Sequence, residues 1–174
     1  GRAKGWEHQA DELVNLAREL QRQSTGHGDF YCALIEGADD IVDELEEAAF
    51  HLGLFPPTPP GLPLLEALGT LASLSVSSAQ ELLKALESAR GVRQGGPRED
   101  LQDFLESIHH IMAAERQSDE AHRSFKRALI ADSSDFRDLY ACAECARNLE
   151  NAADLLLHTA MQLRDHVLGA VTGD

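Results

Sequence analysis

Aromatic rings, cysteine and positive charge are all scarce in this chain. Trp, Tyr and Phe make up 5% of its 174 residues, so any core must be built from Leu, Ile and Ala rather than from stacked rings. Fifteen Lys and Arg stand against thirty Asp and Glu, a formal charge of −15. A field of that sign repels polyanions and argues against nucleic-acid partners. Three cysteines, Cys32, Cys142 and Cys145, are an odd number in a chain long enough to need no disulfide staples. That points to a reducing, cytoplasmic setting. No signal peptide is visible in this sequence, and the most apolar stretch, Leu62 to Leu86, is broken by Glu66, Gln80, Glu81, Lys84 and several serines. Direct membrane insertion is therefore not expected. Also lacking are a phosphate-cradling glycine loop, a nucleophile elbow and a nucleotide fingerprint, so the reading is of a non-enzyme.

What the chain does have is helical periodicity, and the expected fold class is all-α. Apolar residues recur at alternating spacings of three and four from Leu139 through Cys142, Ala146, Leu149, Ala153, Leu156, Ala160 and Leu163 to Val167. The same rhythm runs through Leu34, Ala38, Ile41, Leu45, Ala48 and Leu52. Five helices follow, at about 6–23, 29–53, 64–90, 98–130 and 134–170. Asp29 is the expected N-cap of the second and Ser133 or Ser134 that of the last. The third should break near 73–78, where Ser78 and Glu81 form a capping box. Prolines 56, 57, 59 and 60 cannot continue a helix, so a boundary falls there. Two modules result, 1–56 and 57–174. The first lacks the opening helix that the second has, which implies sequence lost upstream and an apolar face left for the second module or another chain to cover. A homodimer is one way to cover it.

Two acidic signatures come round twice. Glu7 and Asp11 are echoed by Glu115 and Asp119 at an offset of 108 (7 to 115, 11 to 119), and Asp39 and Asp43 by Glu150 and Asp154 at an offset of 111 (39 to 150, 43 to 154). Carboxylates four apart stand one turn apart on a helix face and offer paired oxygens to a hard cation. Chance alone gives about five such pairs in this composition, so only their repetition carries weight, and a solvated acidic face is the plain alternative. Glu150 and Asp154 each follow a seam residue, which places them on the helix flank, at a solvent-accessible site rather than in a buried di-metal centre.

The helix at 98–130 interrupts its own seam: after Leu101, Phe104, Ile108 and Ile111 come Glu115, Ser118 and His122 before Phe125 and Leu129 restore it. An unpaired Glu115 inside would need a cation, a hydrogen bond or water, or else a locally wet helix. His122 and His158, each one turn from an aspartate, could add nitrogen ligands and so favour zinc or iron, although surface histidines are more often merely solvated. Cys142 and Cys145 read as core. A ferritin-like di-iron site would need two Glu-x-x-His motifs, and only Glu106 with His109 is clear.

The stretches Ala38-Asp39-Asp40-Ile41-Val42-Asp43-Glu44-Leu45-Glu46-Glu47-Ala48-Ala49 and Leu149-Glu150-Asn151-Ala152-Ala153-Asp154, with the duplicated three-helix plan, resemble PhoU-like proteins. The nearest branch is the PhoU-related family found with Pit-type phosphate transporters, and the likeness runs from about Trp6 to Val167. It implies two three-helix bundles in tandem, the first here without its opening helix. It also implies surface metal sites formed by Glu7, Asp11, Asp39 and Asp43 in one repeat and by Glu115, Asp119, Glu150 and Asp154 in the other. Iron or zinc is the first choice of ion, then magnesium, manganese or calcium. The implied function is that of a phosphate transport regulator, a cytoplasmic adaptor reaching the membrane only through a Pit-type transporter or a phosphate-signalling protein. A metal-storage or di-metal oxidase bundle and a metal-free helical interaction module are the competing readings.

Overall fold

The computed structural model describes residues 28–55, 61–132 and 135–172. Within them the chain is all-helical, with four helices: α1 (Gly28–Gly53), α2 (Leu62–Ala89), α3 (Arg98–Asp132) and α4 (Phe136–Thr172). The expected helix at 6–23, with Glu7 and Asp11, lies outside the described residues, as do Ser133 and Ser134. The side chain that meets the free backbone N–H groups at the start of α4 is Asp135, whose Oδ1 accepts from the Arg137 amide at 2.8 Å.

One expectation is corrected outright, because α2 runs unbroken through 73–78. Its hydroxyls do not compete with the helix; they fold back on it. Thr70, Ser73 and Ser75 donate to the carbonyls of Glu66, Gly69 and Leu71, four residues earlier, at 3.0, 2.7 and 3.1 Å. Ser75 Oγ also lies 3.1 Å from the Leu149 carbonyl, tying α2 to α4. By length and apolarity alone α2 could span a membrane, with a mean hydropathy of 1.3 in its most apolar window, 28% of which is buried inside the protein.

Helices α2, α3 and α4 pack on one another in all three pairings, while among the described helices α1 lies along α4 alone. Two interactions fix that last pairing. A Cβ at Gly37 would sit 2.5 Å from Thr159 Oγ1, so glycine is what fits against that threonine side chain without a shift. Seven residues on, the Glu44 carboxylate accepts hydrogen bonds from Asn148 at 2.6 Å and Asn151 at 3.1 Å.

The α4 seam is buried as its spacing predicts from Cys142 to Val167, with Leu139 half-buried at its start. The core divides into two apolar clusters. One gathers Leu82, Phe104, Ile108, Ile111, Leu156 and Leu163 around Ile41. The other gathers Leu68, Leu71, Phe125, Leu129 and Leu149 around Ala48, with Cys142 and Cys145 inside it. Burial pushes the Cys142 thiol up to about 11 and raises that of Cys145, so both stay protonated and pack as small apolar groups.

Candidate metal centre

Between the clusters runs a polar band: Ser75 and Ser78 from α2, Ser118 and His122 from α3, Asn148 from α4, all buried. This is the interruption read in the α3 sequence. Ser118 has no exposure and His122 has 4%, while Glu115, one turn before Ser118, is half-buried. The helix is not rotated: α3 keeps its register and takes the polar groups inside. Among the described residues, Ser78 Oγ, Ser118 Oγ and His122 Nε2 are buried with no hydrogen-bond partner, and such groups cost stability unless something solvates or ligates them.

At the open edge of this band, α3 and α4 bring Glu115, Asp119, Glu150 and Asp154 to bear on one another. Glu115 is held above the usual carboxylate range by burial first, then by the charges of Asp154 and Asp119. Glu150 is raised by burial, then by Asp154 and Asp119, with Lys126 opposing and Glu115 adding. Asp154 is raised by burial and by Asp119. Glu115, Glu150 and Asp154 thus resist ionising in a field to which the charge of Asp119 adds, the electrostatic situation that a cation relieves.

Their surroundings pull in different directions. His122 Nδ1 approaches Glu150 Oε2 to 3.4 Å. Burial, then Lys126, keeps this imidazole below its ordinary pKa against the opposing pull of Asp119, so it is neutral at pH 7. Arg123 grips Asp119 at 2.8 Å. His158, the other candidate nitrogen donor, is exposed and sits 3.0 Å from the Gln162 side chain rather than turning to Asp154. Among the described residues, no three His, Cys, Asp or Glu side chains stand close enough to form a ready coordination sphere. The donors fit a hard or borderline cation in chemistry and charge, but they are not closed around one.

Of the first repeat's set, Asp39 and Asp43 lie one turn apart on α1, half-buried and exposed respectively. Their expected counterparts Glu7 and Asp11 fall outside the described residues. Glu106 and His109, the lone Glu-x-x-His motif, both face solvent. Sequence reasoning missed Arg123 and Lys126, whose signal was present as a cation one turn beyond Asp119 and beyond His122. It also missed the Glu44 bridge to Asn148 and Asn151, which spans more than a hundred residues and leaves no local pattern. No protein-family model matches this chain, and no curated protein is significantly similar to it.

Proposed function

We propose that this chain is a PhoU-like, non-enzymatic adaptor that binds a divalent cation on the α3–α4 edge and regulates phosphate transport. What supports the reading is the meeting of four carboxylates from α3 and α4 at one edge of the buried polar band: burial first, then the charges of Asp154 and Asp119, raise Glu115 and Glu150, and burial with Asp119 raises Asp154. Those four residues would hold the ion, which would supply positive charge on a surface otherwise repellent to phosphate. Arg123 must release Asp119 for it to join, and His122, buried behind Glu150, orients that carboxylate and can add a nitrogen donor. The tandem-bundle plan, a second site at Glu7, Asp11, Asp39 and Asp43, and a Pit-type transporter as partner belong to the same proposal and rest on the resemblance.

Thermal melting with and without added zinc, iron(II), manganese, magnesium or calcium tests it. Binding to the folded state alone raises the midpoint with ion concentration. Phosphate should be retained by the metal-loaded protein and not after chelation. A melting curve indifferent to every ion would leave a metal-free helical module as the better reading.

A further inference from the structure

The acidic repeat predicts which face of α1 should be covered, and among the described residues nothing covers it. Adding 111 to Leu45, Ala49 and Leu52 gives Leu156, Ala160 and Leu163 of α4. Those α4 residues are 2%, 0% and 3% exposed, sealed beneath α2 and α3. On α1 the equivalent Leu45 and Leu52 are 38% and 52% exposed. They line one wall of a groove of about 380 Å³ whose other wall is α2 and whose floor is Cys145 and Leu149 of α4.

Helix α2 carries the matching shape on its outside. Besides the inner seam that enters the core, Leu62, Leu65, Gly69, Ala72, Val76 and Leu83 recur at helical spacing on a second face. Leu62, Val76 and Leu83 are 68%, 58% and 62% exposed. At its centre a Cβ on Gly69 would meet nothing within 4 Å, so another helix backbone can approach closely there.

We infer that the groove and the outer face of α2 form a self-complementary interface, with the α2 helix of a second copy of this chain seated between α1 and α2. The repeat says that α1 needs a helix like α2, and α2 is the helix here with an unused apolar face. Charge agrees. Despite the −15 of the whole chain, Glu66 is the single charged residue between Leu62 and Gln80, and none of the groove-lining residues is charged. A basic partner would therefore gain nothing from the groove, whereas a second α2 meets no like charge. A strip some 20 residues long on each of two faces buries roughly 600 Å² per copy, near the roughly 800 Å² per partner of a standard interface. Because the two-fold contact uses the same patch on both copies, it closes as a dimer.

Light scattering of the full chain over a concentration series should give about 38 kDa, twice the 19.0 kDa of one chain. Gly69→Leu has open space in the monomer and improves helix propensity, so its circular dichroism should not fall. It should nevertheless raise the dimer dissociation constant at least about tenfold, as should Val76→Glu. Ala72→Cys should form a disulfide-linked dimer on mild oxidation, since the native cysteines are free and buried. A monomer at every concentration, or a dimer untouched by both substitutions, overturns the inference. Two monomeric outcomes name the alternative occupant: a Cys at position 72 shielded from thiol reagents puts residues 1–27 of the same chain in the groove. Co-sedimentation with phosphatidylglycerol vesicles puts lipid there.

Discussion

The two apolar clusters and the polar band between them are built from the same helices, yet they do opposite things for the fold. In the clusters, Phe104, Ile108 and Leu156 lose all but 2% of their exposure or less against like neighbours, and each contributes on the order of 1.5–3 kcal/mol of burial. In the band, Ser118 and His122 are 0% and 4% exposed while a polar atom of each has no partner among the described residues. Glu115, Glu150 and Asp154 at its edge resist ionising. The comparison teaches that stability is concentrated at the two ends, and that the middle gives some of it up by burying polar groups that an apolar core would exclude.

The largest effect should come from emptying a cluster. Phe104→Ala is expected to cost about 3–5 kcal/mol in urea unfolding, because it deletes a fully buried ring beside Ile108 and Ile111. Next comes the α1–α4 contact. Gly37→Ala places a methyl group 2.5 Å from Thr159 Oγ1 and should cost about 1–3 kcal/mol, largely recovered when Thr159→Ala is added. If the double variant is no better than the single one, the close approach is not what holds α1 in place.

Substitution in the band should reverse the usual sign. Glu150→Gln keeps the shape and removes one of four mutually repelling charges, so without metal it should stabilise by about 0.5 kcal/mol, on the scale of like-charge pairs along a helix. The same variant should lose most of the metal-dependent rise in melting temperature. A loss of stability without metal would mean that His122 needs the Glu150 charge more than the band suffers from it.

The smallest effect is the pH dependence. Glu115, Glu150 and Asp154 have folded pKa values raised above their unfolded ones, so the native state binds more protons and these groups lose stability as pH rises from about 4 toward neutrality. His122 runs the other way. Its depressed value means the unfolded chain binds the proton better, so stability falls as pH drops below about 6.5. Urea midpoints should therefore vary less with pH above about 4 in Glu150→Gln and below about 6.5 in His122→Asn.

Much of this was legible in the sequence where the cause is local. The strict three-four rhythm of α4, the end of α1 at Gly53 and the polar interruption of α3 all follow from side chains within a few turns. The continuity of α2 was misread because serine and threonine favour breaks only when their hydroxyls leave the helix, and here they bond to its own carbonyls. The docking of α1 was invisible because Gly37 meets Thr159, and Glu44 meets Asn148 and Asn151, across a hundred or more residues. The α3–α4 carboxylates could be paired by their repeat spacing, but Arg123 on Asp119 and the neutral His122 behind Glu150 required the fold.

Elemental analysis of the purified chain beside an Asp119→Ala, Asp154→Ala variant addresses the metal proposal most directly. The account predicts that the native chain carries a divalent ion after equilibration and washing, and that the variant, equally folded, loses most of it. Equal metal content in the two, or none in either after loading, would contradict it.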